Sequence, residues 1–373
     1  MKNVWFTLLL LLPALAFFQD EAKQKKVLMV LSSYGKDEGA TRPGYEFDEF
    51  SQAYLVFTSN NFEVDIASPL GGAVESDRYN PGKPYNKAML ENAKYAELPN
   101  NTLRTADVDP DKYDAVYVVG GKGAMFDLPY DPSLQDIILN LYKREQTVIA
   151  AVCHGPAVFA NVKNGEEFII NEVRLTGFTN EEEELFGKKW VKEFPFKLED
   201  HLKARGAIFE QADFMLAHTT VSGKFVTGQN PFSTPASAEA VVKALGMEPV
   251  DRTPYPDENA MYLVEDILND TITLDEAKGR LDANTDAFDI ELMAVYGYYR
   301  ILAAGENKEA IAKGIDLIRL TTPYYFNENL QLFLAKTYVS LEKQDMAMPI
   351  LEELIKKDLL KEQAEEVLQQ VKS

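Results

Sequence analysis

The chain has 373 residues, of which 46% are hydrophobic and 26% are charged, and its acidic residues outnumber its basic residues 59 to 38. The net charge of -21 argues against nucleic acid or an anionic membrane surface as the main partner, because both bind cationic surfaces. At about 150 residues per domain, the length favours two domains. The single cysteine excludes an internal disulfide and any zinc site built from several cysteines.

The first residues have the pattern of an export signal. Lys2 is followed by an uncharged apolar run over 4–18, and Ala14-Leu15-Ala16 supplies the small residues that a signal peptidase accepts. The run is shorter than the roughly 20 residues that a membrane span needs. The pattern predicts a signal peptide over 1–16 and an exported protein, periplasmic or extracellular, that is not held in the membrane after cleavage. An uncleaved anchor is the alternative.

From residue 25 to about 250 the sequence alternates short apolar runs with helical patterns. The runs that predict strands are 27–33, 62–68, 115–120, 147–152, 173–177, 214–217 and 224–227. Helical patterns lie between them, for example at 46–59, 132–143 and 234–245. Continuous runs rich in Val and Ile are typical of strands that are buried on both faces of a parallel sheet. We therefore predict a doubly wound, mostly parallel α/β domain over 25–250, with functional groups at the carboxyl ends of its strands.

Past residue 250 the strand patterns stop, and apolar residues recur at helical spacing. Two stretches are similar, one with Tyr298, Ile301, Gly305, Ala310 and Leu317, the other with Ala335, Tyr338, Ala347, Leu351 and Leu354. Small residues such as Ala310 and Ala347 permit two helices to approach closely, as in tetratricopeptide repeats, although their separation of 37 residues exceeds the roughly 34 of that repeat. We predict an all-α region over 251–373, either tetratricopeptide-like or a plain helical bundle packed on the main domain.

The single cysteine directly follows a predicted buried strand. Cys153 comes after the run 147–152, and Gly155-Pro156 then opens a helix, since proline suits a first helical turn. Such a turn exposes the side chain at the strand tip, and the helix N-terminus is expected to lower the pKa of the thiol. The pattern favours a nucleophilic cysteine over a buried structural one.

A glycine-rich loop follows another predicted strand. The run 115–120 leads into Gly120-Gly121-Lys122-Gly123, whose backbone N–H groups are candidates for binding the oxyanion that forms when Cys153 attacks a carbonyl. The spacing matches neither a dinucleotide fingerprint nor a P-loop. A plain tight turn is the alternative.

The segment AVCHGPA (151–157) resembles the nucleophile elbow of the ThiJ/PfpI superfamily, and more specifically of its glyoxalase III and heat-shock chaperone branch. Four further segments resemble that branch in the same order: GYEFDEF (44–50), ASPLGG (67–72), TGFTNEEE (176–183) and VTGQNP (226–231). The resemblance covers about residues 26–245 and implies a flavodoxin-like, class I glutamine amidotransferase-like fold. The predicted helical region lies outside it.

The resemblance implies catalytic roles for four side chains. Cys153 would be the nucleophile, Glu49 the carboxyl that lies against the thiol and moves protons, and His154 the adjacent catalytic histidine. Glu183 would be the acid that orients the histidine. It lies in a run of four glutamates, so Glu182 or Glu184 takes its place if the turn is shifted by one residue.

The chain departs from the family pattern at Lys122, where the family usually has histidine, and this leaves the substrate open. His201 and His218 match no catalytic motif and are interpreted as structural or surface residues. The spacing of the three histidines does not suggest a metal site. We expect no metal and no cofactor.

The resemblance implies a cofactor-independent glyoxalase III-type lyase of the D-lactate dehydratase class, which converts the small reactive aldehyde methylglyoxal and water to lactate. The residue types suit this chemistry, since a thiolate adds to an aldehyde and a neighbouring carboxyl moves a proton between adjacent carbons. An alternative of another class is a stress-protective holdase chaperone, or a partner-binding protein, that uses the C-terminal helices. A cysteine peptidase or amidase ranks lowest. A homodimer and a protein partner at the helices stay open.

Overall fold

A mostly parallel sheet of seven strands forms the centre of the N-terminal part of the protein in the computed structural model, which describes residues 24–187 and 189–372. The predicted signal peptide lies outside the described residues. The strands are β1 (Lys26–Val30), β2 (Glu63–Ser68), β3 (Leu103–Arg104), β4 (Ala115–Val118), β5 (Val148–Val152), β6 (Lys163–Asn164), β7 (Glu167–Phe168), β8 (Arg174–Leu175), β9 (Ile208–Phe209), β10 (Thr219–Ser222) and β11 (Phe225–Gly228). The main sheet has the order β10-β11-β5-β4-β1-β2-β3.

All neighbouring strands of the main sheet pair in parallel except β10 and β11, which are antiparallel. Strands β4 and β5 are buried along their whole length, which explains their continuous apolar sequences. The chain order reverses between β1 and β4, and ligands of doubly wound sheets bind beyond the carboxyl ends of the strands at such a switch point. The predicted α/β fold with a mostly parallel sheet is confirmed.

Fourteen α-helices are described. They are α1 (Phe47–Ser59), α2 (Pro84–Glu91), α3 (Ala93–Ala96), α4 (Pro132–Lys143), α5 (Asn180–Phe186), α6 (Leu198–Ala204), α7 (Thr234–Ala244), α8 (Pro256–Leu268), α9 (Leu274–Ala283), α10 (Ile290–Ala303), α11 (Lys308–Thr321), α12 (Glu328–Ser340), α13 (Gln344–Lys356) and α14 (Lys361–Lys372). Helices α1 and α7 pack against each other, and α4 packs against β4 and β5. None of the helices in the described ranges combines the length and hydropathy that crossing a membrane requires.

Two of the predicted strands are wrong or misplaced. The run 214–217 forms a turn, and Phe214, Met215 and Leu216 are apolar because they pack against the C-terminal helices. The run 173–177 contributes only β8, which pairs with β9 outside the main sheet. The prediction also missed β10, whose sequence Thr-Thr-Val-Ser forms one edge of the sheet and lacks an apolar run.

Every described element from α8 onward is helical, apart from the short 3-10 turn Thr285–Ala287. Ala310 and Ala347 are buried as expected of small contact residues. The close approach of α10 and α11, however, depends on two glycines. A Cβ added at Gly314 would lie 2.7 Å from Ile301 Cγ1 and 2.8 Å from the Gly297 carbonyl oxygen.

We expect Gly314→Ala to lower the free energy of unfolding by about 1–3 kcal/mol, because the added methyl group overpacks the contact between α10 and α11. Gly279→Ala in α9 is the matched control, since this helical glycine has nothing within 4 Å of its ideal Cβ position. The control should raise stability by about 1 kcal/mol, because alanine favours the helix. Chemical denaturation of both variants measures the difference, and equal effects would contradict the close packing.

Candidate active site

Cys153 lies directly after β5, at the carboxyl edge of the sheet. Its backbone has a φ of +59°, a left-handed conformation that is uncommon for residues other than glycine. The Cys153 N–H donates to the Gly228 carbonyl at 2.9 Å, and its own carbonyl accepts the Phe178 N–H at 2.8 Å. Such strained positions cluster at functional sites, where surrounding contacts hold them. The strand and these two hydrogen bonds fix the sharp turn that presents the thiol.

His154 connects the thiol to a buried carboxylate. The Cys153 Sγ lies 3.3 Å from His154 Nδ1, and His154 Nε2 lies 2.7 Å from Glu183 Oε1. With Glu183 as a carboxylate, Nε2–H donates to it, which leaves the Nδ1 lone pair facing the thiol. The Phe178 ring packs on the imidazole at a centroid distance of 4.6 Å and helps to bury it. The arrangement can therefore accept the thiol proton.

The glutamate run at the start of α5 divides into different environments. Glu183 contacts His154, whereas Glu184 is exposed to solvent. Glu182 is buried, and its Oε1 accepts three N–H groups, those of the Met215 backbone and of the Gln229 and Asn230 side-chain amides. Its other oxygen closes a capping box at the helix N-terminus. The structure thus places Glu183 against the histidine and Glu182 in a structural network.

Glu49 reaches the thiol from the first turn of α1 and is completely buried. Its Oε2 accepts the Gly120 N–H at 2.7 Å, and its carboxyl interacts with the Cys153 thiol. Burial, together with the nearby Glu46 carboxyl, raises the pKa of Glu49 well above its usual range and so favours the protonated carboxyl. A Cβ at Gly120 would lie 2.8 Å from both Cys153 Cβ and Glu49 Oε2, so this close approach requires glycine.

Burial also raises the pKa of the Cys153 thiol well above its usual range, and the carboxyls of Glu49 and Glu46 act in the same direction. The prediction that a helix N-terminus lowers the thiol pKa is therefore wrong. The segment that follows is a short 3-10 helix, Gly155–Asn161, and the thiol lies in a buried site rich in carboxyls. The resting residue is a thiol, which makes an adjacent base necessary for nucleophilic attack.

The glycine-rich loop after β4 contributes less than predicted to an oxyanion site. The Gly120 N–H is engaged by Glu49, and the Gly123 N–H donates to the Gly44 carbonyl at 2.9 Å. Both are therefore unavailable to a substrate oxygen. Gly121 and Lys122 line the cavity beside the thiol, so the predicted role narrows to these two residues.

The thiol opens into a cavity of about 200 Å³. Its lining residues are Glu46, Gly121, Lys122, Cys153, His154, Phe178, Glu182, Phe186, Met215, Asn230, Pro231 and Phe232. Sequence reasoning did not assign Glu46 or the three side chains Phe186, Met215 and Phe232, which we call the apolar wall. The sequence contained a signal that could have identified Glu46, since it lies within the motif GYEFDEF. Met215, in contrast, lies in the run that was mistaken for a strand.

Glu46 provides a test of the site's electrostatics. Burial and the Asp48 carboxyl raise the pKa of Glu46 to about 7, while the Lys122 ammonium opposes this shift. Ionised Glu46 raises the pKa of the Cys153 thiol, so Glu46→Gln should lower that pKa and speed alkylation of Cys153 at pH 8. Below pH 7 the wild-type carboxyl is itself protonated, and the difference should shrink. Iodoacetamide rates across this pH range measure it, and a difference that does not vary with pH would contradict the assignment.

His201 and His218 lie outside the cavity, in agreement with their interpretation as structural residues. His201 stacks on the Phe196 ring at a centroid distance of 4.1 Å, and His218 Nε2 lies 3.3 Å from Thr220 Oγ1. Within residues 24–187 and 189–372, no group of three or more His, Cys, Asp or Glu side chains is placed to hold a metal ion.

The doubly wound sheet and the strained cysteine elbow define an α/β protein of the ThiJ/PfpI type. The model of the DJ-1/PfpI family matches residues 25–244, and the chain belongs to this family.

Several relatives are glyoxalases by name. The chain is 31% identical to the glutathione-independent glyoxalase hsp3102 of Schizosaccharomyces pombe, over 60% of this chain and 99% of the relative. It is 30% identical to glyoxalase 3 of Candida albicans, over 59% and 98% of the two chains. The crystal structure of glyoxalase III from Candida albicans superposes with a TM-score of 0.54 at 28% identity, covering 59% of this chain and 97% of that one. These matches leave the C-terminal helices unmatched.

Proposed function

We propose that the protein is a cofactor-independent glyoxalase III-type enzyme, which converts methylglyoxal and water to lactate. The observation that carries the proposal is the arrangement of the thiol between two acid–base groups. His154 Nδ1 and the Glu49 carboxyl both interact with the Cys153 thiol, beside a cavity with an apolar wall. The names of the relatives support the same reaction.

The first step is addition of the thiol to the aldehyde carbon, C1. His154 Nδ1 accepts the proton from Cys153 Sγ, and the Sγ–C1 bond forms as the C1 carbonyl becomes an alkoxide. Glu183 stabilises the imidazolium that results, because its carboxylate lies 2.7 Å from Nε2. The imidazolium then returns its proton to the alkoxide, which gives a neutral hemithioacetal.

The second step moves hydrogen from C1 to C2 and requires a group that both gives and takes a proton. The raised pKa of Glu49 favours its protonated form, which can donate to the ketone oxygen on C2 while its other oxygen accepts the C1 proton, and an enediol forms. Glu49 then donates the proton that it took from C1 to C2, and it accepts the proton of the C1 hydroxyl. The product is a thioester of lactate, and Glu49 ends in the state in which it began.

The third step is hydrolysis. Water adds to the thioester carbon, the Sγ–C1 bond breaks, and lactate leaves as the thiolate regains a proton. His154, which is neutral after the first step, is the base beside this bond. Lys122 lines the same cavity, and its positive charge supports binding of the oxygens that become negative during the reaction.

The experiment that tests this function is lactate formation from methylglyoxal in the absence of glutathione, with reduced wild-type protein and an assay for the D enantiomer. Formation of D-lactate in proportion to enzyme concentration supports the proposal. Absence of lactate with a fully reduced thiol would refute it.

We also propose that the protein is exported, on the basis of the pattern over 1–18. The holdase, peptidase, homodimer and tetratricopeptide interpretations stay predictions. A holdase does not need the thiol, so suppression of aggregation that survives in Cys153→Ala separates that activity from the proposed chemistry.

A further inference from the structure

The side chains of the apolar wall contribute both to the cavity and to a hydrophobic cluster behind it. Phe186, Met215 and Phe232 line the cavity beside Cys153. The same three side chains pack into a hydrophobic cluster that is built mainly from the C-terminal helices α8, α9, α10 and α11. The wall is therefore covered from behind by a part of the chain that the glyoxalase relatives do not match.

One direct contact runs from α10 to Phe186, at the end of α5. The Tyr299 ring meets the Phe186 ring edge to face, at a centroid distance of 4.8 Å and an interplanar angle of 72°. Aromatic contacts of this geometry contribute beyond their buried area, and they restrict the orientation of both rings. Tyr299 thus limits how far Phe186 can move away from the cavity.

A second contact runs from α10 to Phe214, the residue before Met215. The Tyr296 ring stacks on the ring of Phe214 at a centroid distance of 5.1 Å. Met215 has a left-handed φ of +60°, and its N–H donates to Glu182 Oε1 at 3.0 Å. Because this backbone conformation is unfavourable by itself, its position depends on the packing around it.

An ion pair adds a third contact to the same segment. Arg300 Nη1 lies 2.7 Å from Asp213 Oδ2, so α10 contacts Asp213 and Phe214, the two residues that precede Met215. The three contacts come from one turn of the helix. Together they hold the two segments that carry Phe186 and Met215.

We propose that α10 sets the size of the substrate pocket, so that the C-terminal helical region determines which carbonyl compounds reach Cys153. Tyr296, Tyr299 and Arg300 are positioning residues that act through the apolar wall. The apolar substituent of a 2-oxoaldehyde would lie against this wall, and this part of the inference rests on the proposed function. The inference about the size of the pocket does not rest on the proposed function, since it concerns only access to the thiol.

The test uses the single cysteine as a reporter. Cys153 is alkylated in the full-length protein with iodoacetamide and with a bulky N-aryl iodoacetamide, and the ratio of the two rate constants is measured. Removing the Tyr299 ring frees Phe186, so Tyr299→Ala should raise the ratio of bulky to small reagent by about threefold or more. Tyr299→Phe keeps the ring and should retain the wild-type ratio.

Tyr338→Ala is the control variant. Tyr338 is a tyrosine of α12 in the same helical region, and it packs into a separate hydrophobic cluster that includes neither Tyr299 nor the apolar wall. The control should leave the ratio unchanged. An unchanged ratio in Tyr299→Ala, or equal changes in both alanine variants, would overturn the proposal. If Tyr299→Ala does not fold, Tyr299→Leu takes its place with the same expectation.

The kinetic counterpart compares phenylglyoxal with methylglyoxal. Tyr299→Ala should raise the relative kcat/KM for phenylglyoxal through a lower KM, while kcat for methylglyoxal stays within about twofold of wild type. An equal loss of kcat for both substrates would indicate a merely structural role and would contradict the proposal. Failure of the glyoxalase function would appear as no lactate from the wild type, and the alkylation ratio would still decide the question of pocket size.

Discussion

Cys153→Ala should lower the rate of lactate formation from methylglyoxal by at least about a thousandfold, because every covalent step of the proposed reaction passes through Sγ. Cys153 is the only cysteine, so no second thiol can replace it. The measurement is D-lactate production without glutathione by purified wild type and variant. The free energy of unfolding is measured alongside, to show that loss of activity does not reflect loss of the fold.

Cys153→Ser is the companion variant, since it keeps a proton donor beside His154 Nδ1 but has a poorer nucleophile. It should be nearly as inactive as the alanine variant. Lactate formation that persists in the alanine variant would show that the product arises elsewhere.

Glu49→Gln should lower lactate formation by at least about a hundredfold, because the amide cannot carry a proton between C1 and C2. The substitution is nearly isosteric, and its amide oxygen can still accept the Gly120 N–H. Addition of the thiol should survive, since His154 is intact. Intact-protein mass spectrometry should therefore detect an adduct with the mass of one methylglyoxal at Cys153, together with almost no lactate.

Glu49→Asp is the control for charge, since it keeps a carboxyl but withdraws it by one methylene, and it should have intermediate activity. Alkylation of Cys153 in Glu49→Gln should be at least as fast as in wild type, because the Glu49 carboxyl raises the thiol pKa. Full lactate formation by Glu49→Gln would contradict the assigned proton transfer. Loss of alkylation would instead indicate that the site had collapsed.

The parts of the fold that were predicted correctly are those in which the local sequence pattern matches the position of the segment in the folded protein. The continuous apolar sequences of β4 and β5 are typical of buried parallel strands, and α4 begins at Pro132 and ends at Lys143 as the pattern predicted. The run 214–217 shows the limit of this reasoning. An apolar run indicates that the segment is buried, but it does not show which element buries it. Here that element is α10, which lies far along the chain.

The residues of the candidate site likewise fall into those that the local sequence predicted and those that it did not. The elbow at Cys153 follows from a strand, a glycine and a proline that are adjacent in sequence. Glu49 and Glu183 are distant from Cys153 in the sequence and approach it only in the folded chain. Their assignment therefore depended on resemblance to a family. The raised pKa of the thiol was not accessible from local pattern, because burial and the carboxyls of other elements cause it. The apolar wall was missed because its packing partners lie outside the matched region.

The most direct test of a thiol-dependent glyoxalase is the dependence of D-lactate formation on the free thiol of Cys153 itself. Wild-type protein is alkylated with iodoacetamide to graded extents, and each sample is assayed for unmodified cysteine and for D-lactate formation from methylglyoxal. The account predicts that activity falls in direct proportion to the remaining thiol and reaches zero when Cys153 is fully modified. Lactate formation by fully alkylated protein, or none by protein with a fully reduced thiol, would contradict it.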